Sequence, residues 1–124
     1  MIHYAKRILI VEDNKADVRL LKDILEKRGY ETLQPGDGLE AIKLALAYLP
    51  DLILMDIQLP IMDGYAAARR IKADPALRTI PIIAVTSYAL NGEERIARAA
   101  GCDDYVPKPF SPRQLLAKVR QYLQ

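Results

Sequence analysis

The sequence has too little cysteine and histidine for a disulfide framework or a zinc site. It contains one cysteine, Cys102, one histidine, His3, and no tryptophan. A single cysteine cannot close an internal disulfide, and one histidine cannot supply a histidine-clustered metal site or an intramolecular histidine relay. Because free cysteine is usually buried, we expect Cys102 to be a buried thiol. A metal bound by this chain would therefore be bound through oxygen atoms.

Long hydrophobic runs and a large excess of one charge are also absent. The longest apolar runs, such as Leu52–Met55 and Ile80–Val85, are far shorter than the roughly 20 residues of a membrane span. Residues Met1–Lys6 lack the apolar core of a signal peptide. The 18 Lys and Arg against 16 Asp and Glu leave a net charge of +2, too small to indicate a nucleic-acid-binding protein. We expect a soluble, cytoplasmic protein that contacts neither membranes nor nucleic acid directly.

What is present favours one globular domain, residues 1–124. At 124 residues with 51% hydrophobic composition, the chain can bury one core, whereas two cores of half this size would each be marginal. Charged residues make up 27% of the chain and are spread along it, which argues against an acidic or basic tail.

Short apolar segments alternate with helical ones five times. The predicted strands are Lys6–Val11, Glu31–Gln34, Leu52–Met55, Ile82–Val85 and Tyr105–Val106. The predicted helices lie around Val18–Leu25, Leu39–Leu49, Tyr65–Ala73 and Glu93–Ala100, and after the cap Ser111–Pro112. The third and fourth strands are apolar on both faces, as expected of parallel strands with helices on each side. The pattern predicts an α/β fold, a doubly wound three-layer α/β/α sandwich with a five-stranded parallel sheet.

Charged or reactive side chains follow four of the five predicted strands. They are Glu12 and Asp13 after the first, Asp56 after the third, Thr86 and Ser87 after the fourth, and Lys108 after the fifth. The carboxyl ends of parallel strands meet at one edge of the sheet, which is where ligands of open α/β sheets bind. We therefore expect three carboxylates, a hydroxyl and an ammonium group to converge at this edge.

Three converging carboxylates require protons or a cation to offset their repulsion. Oxygen ligands without histidine or cysteine favour a hard ion, so the sequence predicts Mg²⁺ or Mn²⁺. Asp56 ends the most apolar strand and is the predicted nucleophile for phosphorus, while Glu12 and Asp13 hold the ion. Thr86 and Lys108 would contact the phosphoryl oxygens. The alternative is a solvated rim of charges without chemistry.

Four sequence blocks resemble the signature of response-regulator receiver domains, and the resemblance covers the whole chain. The blocks are Ile8–Asn14, Leu54–Asp56 with Pro60 and Asp63–Gly64, Val85–Thr86, and Lys108–Pro109. The resemblance implies a flavodoxin-like strand order of 2-1-3-4-5. It also implies that a histidine kinase or histidine phosphotransfer protein phosphorylates Asp56 in a two-component system or phosphorelay. The implied Mg²⁺ ligands are Glu12, Asp13, Asp56 and the backbone carbonyl of Gln58.

The resemblance further implies a switch. In such domains Thr86 would move toward the phosphoryl group and Tyr105 would turn inward, which alters the face built by the fourth helix, fifth strand and fifth helix. A downstream protein would bind this face, and the chain would be a monomer or a phosphorylation-dependent dimer.

Three further positions carry expectations from the same resemblance. The Lys108–Pro109 peptide bond is expected to be cis. Gln58 and Tyr88 lie two residues beyond Asp56 and Thr86, where they would control attack by water on the phosphoaspartate. A bulky Tyr88 would shield it, which predicts slow loss of the phosphoryl group.

Other functions fit the sequence less well. A haloacid-dehalogenase-type phosphatase carries its nucleophile after the first strand and a second aspartate two positions on, where this chain has Gln58 after Asp56. Flavin binding would need a phosphate-binding loop after the first strand, where Glu12–Asp13 would repel phosphate. A degenerate receiver that acts as a phosphorylation-independent scaffold is the remaining alternative.

No residues follow Gln124, so we expect no output domain in this chain, unless it is part of a longer regulator or hybrid kinase. We expect a signalling switch and not an enzyme with other substrates.

Overall fold

A computed structural model of the protein describes residues 5–87 and 92–124, in which five strands alternate with five helices. The strands are β1 (Arg7–Val11), β2 (Glu31–Leu33), β3 (Leu52–Asp56), β4 (Ile82–Thr86) and β5 (Asp104–Pro107). The helices are α1 (Lys15–Glu26), α2 (Gly38–Tyr48), α3 (Gly64–Ala73), α4 (Glu93–Ala99) and α5 (Pro112–Leu123). Each predicted element is therefore found, with ends that differ by at most three residues.

The strands form one parallel sheet in the order β2-β1-β3-β4-β5, which confirms the expected topology. Consecutive strands lie to either side of β1, so the order reverses between β1 and β3, where a crevice opens at the carboxyl ends. Val11 pairs with Met55 at this point of reversal. Farther along the sheet, Asp56 pairs with Val85 and Thr86 pairs with Pro107.

Side chains of the central strands alternate between two cores. In β3, Ile53 and Met55 belong to a core that includes residues of α2, α3 and α4. Leu52 and Leu54 belong to the other core, with residues of α1 and α5. This is the expected arrangement when successive residues of a strand point to opposite faces and both faces are covered.

Polar side chains fix where four of the helices begin. Each caps its helix by accepting a hydrogen bond from a backbone amide in the first turn. These residues are Asn14, Asp37, Asp63 and Ser111. The caps of α1 and α3 hold these helix starts close behind the ends of β1 and β3.

Two further expectations can be compared with the structure. Cys102 is buried and unpaired, as predicted. Among the described residues no helix has the length and apolar character required to cross a lipid bilayer.

Candidate functional site

Three carboxylates meet where β1 and β3 end. Glu12 and Asp13 follow β1, and Asp56 is the last residue of β3. Because Val11 pairs with Met55, the next residues along both strands lie side by side. One carboxylate oxygen from each of the three residues lies within 4.8 Å of the others. Glu12 and Asp56 are only 3% and 7% exposed, whereas Asp13 is open to solvent.

Lys108 brings a positive charge to these acids from the loop after β5. Its Nζ lies 2.5 Å from Glu12 Oε1 and 3.6 Å from Asp56 Oδ2. The same ammonium contacts Asp17 Oδ2 at 2.9 Å, a partner that the sequence analysis did not identify. Asp17 lies in the first turn of α1, directly behind the Glu12–Asp13 pair. That position is the one sequence signal that could have revealed it.

Thr86 is fully buried at the end of β4, on the same edge of the sheet. It lies one residue beyond Val85, the register partner of Asp56. Its backbone carbonyl accepts a hydrogen bond from the Lys108 amide at 2.7 Å, which joins the ends of β4 and β5. The next peptide bond, Lys108–Pro109, is cis.

Glu12 and Lys108 have perturbed protonation equilibria. Burial raises the pKa of Glu12 to about 7, and a hydrogen bond with Asp56 acts in the same direction. Hydrogen bonds from Lys108 and from the Asn14 amide oppose this shift without cancelling it. Burial alone would lower the pKa of Lys108, but its hydrogen bonds to Glu12 and Asp17 raise it overall. The lysine is therefore charged at neutral pH, while Glu12 is partly protonated.

This arrangement fits a hard divalent cation. The three side chains offer only oxygen atoms, which Mg²⁺ and Mn²⁺ prefer, and the exposed Asp13 leaves room for water ligands. A cation would replace the proton held by the buried Glu12. An open cleft of about 450 Å³ gives access to the site. Its lining residues are Glu12, Asp13, Asn14, Asp17, Asp56, Gln58, Ser87 and Lys108.

The loop from β3 to α3 fixes the backbone behind Asp56. The Gly64 amide donates to the Ile57 carbonyl at 2.9 Å, which closes the loop at its base. A Cβ atom at Gly64 would lie 2.3 Å from the carbonyl oxygen of Asp56, so only glycine fits at the start of α3. At the loop tip, Ile61 has a positive φ of 69° and the Met62 amide donates to the Pro60 carbonyl at 2.7 Å. In the sequence, Pro60 and Asp63–Gly64 carry only the family resemblance and do not predict this backbone geometry.

The remaining predicted site residues have different outcomes. The Gln58 amide donates to Asp56 Oδ1 at 3.2 Å, and its side chain accepts from Ser87 Oγ at 3.5 Å. Metal binding by the Gln58 carbonyl stays a prediction. Tyr105 is half-buried on β5 and packs against the core that includes α2, α3 and α4. Tyr88 lies outside the described residues.

Comparisons with known proteins agree with this geometry. Residues 8–120 match the family described as response regulator receiver domain. The polar-differentiation response regulator DivK of Brucella anthropi is 45% identical over 118 residues, which cover 95% of this chain and 96% of that protein. The crystal structure of the receiver domain of sensor histidine kinase PA1611 from Pseudomonas aeruginosa has a magnesium ion coordinated in its active-site cleft. It is 37% identical with a TM-score of 0.90 and covers 97% of this chain and 98% of that one.

A second solved structure is as similar in fold. A putative response regulator from Chloroflexus aurantiacus superposes with a TM-score of 0.93 at 32% identity and covers 97% of this chain and 98% of that one. The family match extends over nearly the whole chain, and the relatives are similar over their full lengths. This chain therefore belongs to the response regulator receiver domain family of two-component signalling.

Proposed function

We propose that Asp56 accepts a phosphoryl group from the phosphohistidine of a histidine kinase or histidine phosphotransfer protein. Glu12, Asp13, Asp56 and the backbone carbonyl of Gln58 would hold Mg²⁺ or Mn²⁺ during this reaction. The observation that carries the proposal is the meeting of three carboxylates within 4.8 Å beside the Lys108 ammonium. Membership of the receiver family supports the phosphohistidine donor.

The transfer exchanges one bond to phosphorus for another. A carboxylate oxygen of Asp56 attacks phosphorus, and the bond between phosphorus and the donor imidazole nitrogen breaks. The electron pair leaves with the imidazole, which takes up a proton. When bound, the divalent cation supplies positive charge that offsets the phosphoryl oxygens and the attacking carboxylate. Lys108 pairs with one phosphoryl oxygen and the Thr86 hydroxyl donates a hydrogen bond to another.

The response passes from Thr86 toward the surface formed by α4, β5 and α5, which we propose binds a downstream protein. Thr86 follows Val85, so its side chain lies on the same sheet face as Ala84, the register partner of Tyr105. The two proposed switch residues thus share one face of the sheet. The free energy available to the switch is the difference between the interaction free energies of the phosphoryl group with the two states.

Two further properties complete the proposal. The chain acts in the cytoplasm as a monomer or as a phosphorylation-dependent dimer. It catalyses only its own phosphoryl transfer and dephosphorylation.

Labelling with a radioactive small phosphodonor tests the acceptor. We expect acetyl phosphate to label the wild-type protein when Mg²⁺ is present and labelling to fall to background in EDTA. The Asp56→Asn variant should stay unlabelled because an amide oxygen is a poor nucleophile. The matched control is Asp74→Asn, which removes a half-buried acid at the far end of α3 and should be labelled like wild type.

Two results would contradict the proposal. Label retained by Asp56→Asn would place the acceptor on another residue. A wild-type protein that no small donor and no phosphohistidine protein can label would favour a phosphorylation-independent scaffold.

A further inference from the structure

Lys108 has one acidic partner that belongs to none of the roles proposed above. The ammonium lies 2.9 Å from Asp17 Oδ2, closer than its 3.6 Å separation from Asp56 Oδ2. The side chain of Lys108 is 16% exposed and that of Asp17 is 37% exposed, so the contact is partly shielded from water. The backbone of Asp17 is held in place because its amide donates to the Asn14 side chain at 3.0 Å.

Cation binding changes the choice of partners for Lys108. In the structure the shortest contact of the ammonium is with Glu12 Oε1, at 2.5 Å. Glu12 is also a proposed cation ligand, and a carboxylate that binds a divalent ion attracts an ammonium less strongly. Of the three acids bonded to or near Lys108, only Asp17 lies outside the proposed metal cluster.

Asp17 and Asp56 therefore compete for the same positive charge. An ammonium in direct contact with Asp56 would neutralise the carboxylate that must bind the cation and attack phosphorus. An ammonium held by Asp17 stays within reach of a phosphoryl group on Asp56 without masking the nucleophile beforehand.

We propose that Asp17 is a positioning residue that holds Lys108 on the α1 side of the cleft and so keeps Asp56 available to the cation and the phosphodonor. This inference deepens the proposed function and rests on it, because it names a further residue for the same reaction. Asp17 itself touches neither the cation nor the phosphoryl group in this scheme. Its effect passes entirely through Lys108.

A double-mutant cycle on cation affinity tests the inference. Mg²⁺ binding is measured by calorimetry for wild type, Asp17→Asn, Lys108→Met and the double variant, with melting curves to establish that each is folded. We expect Asp17→Asn to raise the Mg²⁺ dissociation constant about two- to fivefold, the change typical of a partly exposed ion pair. In the Lys108→Met background the same substitution should change it by less than about 1.5-fold, since no lysine remains to be positioned.

The control variant is Asp23→Asn, which removes an exposed acid from the same helix and should leave the dissociation constant near that of wild type. Equal effects of Asp17→Asn in both backgrounds would overturn the inference, because Asp17 would then act through its charge alone. A loss in Asp23→Asn as large as in Asp17→Asn, or no loss in Asp17→Asn, would overturn it too.

Labelling kinetics provide a second readout. For Asp17→Asn we expect a higher Mg²⁺ concentration at half-maximal rate but a maximal rate near that of wild type, because saturating Mg²⁺ displaces Lys108 from Asp56. A lowered maximal rate with unchanged half-saturation would contradict the inference. If the wild-type protein is not labelled at all, the proposed function fails, while the calorimetric cycle still decides where Asp17 holds Lys108.

Discussion

Ile61 has a backbone conformation that disfavours its own side chain. Its φ of 69° lies in the left-handed region, where a β-branched residue is an outlier, and its side chain is 77% exposed. Asparagine tolerates this region far better, so we expect Ile61→Asn to raise the free energy of unfolding by about 1 kcal/mol. Urea denaturation measures this. As a control, Ile96→Asn replaces an exposed isoleucine in α4 and should be neutral or slightly destabilising. A loss of stability in Ile61→Asn would contradict the prediction.

Glu12 makes the cation-free protein sensitive to pH. Its folded pKa of about 7 lies above the ordinary value of 4.5, so the folded state binds this proton more tightly than the unfolded state. The contribution of this proton to the free energy of unfolding is fully present below about pH 4.5 and is lost as the pH rises through 7. Urea denaturation in EDTA should show a loss on the order of 2 kcal/mol between pH 5 and 8.

Glu12→Gln is the control for this pH dependence, because it keeps the size of the side chain and removes its titration. It should flatten the stability profile over the same range. A wild-type protein whose stability rises from pH 5 to 8, or an unchanged profile in Glu12→Gln, would refute the assignment.

At the residue scale, sequence reasoning identified the side chains that directly follow buried strands. The apolar runs form parallel strands that end at one edge of the sheet. The sequence pattern was therefore sufficient to predict that the residues at these ends converge, namely Asp56, Thr86 and Lys108. Asp17 was missed because its role depends on a contact with Lys108 across 91 positions, on a helix whose acids otherwise face solvent. Ile61 was missed because a positive φ at a β-branched residue has no sequence signature.

At the scale of elements, the start of α3 is pressed against the end of β3. A methyl group at Gly64 would lie 2.3 Å from the Asp56 carbonyl oxygen and 2.8 Å from the Ile57 Cα. We expect Gly64→Ala to lower the free energy of unfolding by about 1–3 kcal/mol, because the backbone must move to relieve the overlap. Phosphoryl labelling should fall as well, since that movement displaces Asp56.

Gly36→Ala is the matched control, because no atom lies within 4 Å of the added methyl group there. It should change neither stability nor labelling appreciably. Equal behaviour of the two alanine variants would show that the close approach at Gly64 does not constrain Asp56.

The elements themselves were predictable where burial dominates. Strands β3 and β4 are continuous apolar runs, and their positions follow from that alone. The start of β5 was placed one residue late because Asp104 looks like a loop residue in the sequence. In the structure Asp104 is a buried strand residue that pairs with Ile83 and accepts hydrogen bonds from Lys118 and Tyr122. The strand order came from the family resemblance, since periodicity does not determine it.

At the scale of the whole molecule, the proposed cation site links cation binding to folding through Glu12. A cation that binds only the folded protein stabilises it, and protons compete for the same carboxylate. We expect 10 mM Mg²⁺ to raise the melting temperature more at pH 8 than at pH 6, when each shift is taken relative to EDTA. Calorimetric or circular-dichroism melting curves measure both shifts.

Asp56→Asn serves as the control for this linkage, because it removes one of the proposed ligands and should reduce the Mg²⁺-dependent shift at both pH values. A larger shift at pH 6 than at pH 8, or an equal shift in Asp56→Asn and wild type, would contradict a cation site built on these acids.

The hydrogen bond from the Lys108 amide to the Thr86 carbonyl has a mechanical consequence. It links the peptide at the end of β4 to the peptide that enters the loop after β5. A shift of the threonine main chain cannot occur without either stretching this bond or carrying the lysine along with it. The hydroxyl and the ammonium that we propose contact the phosphoryl group are therefore coupled through the backbone and would not respond independently.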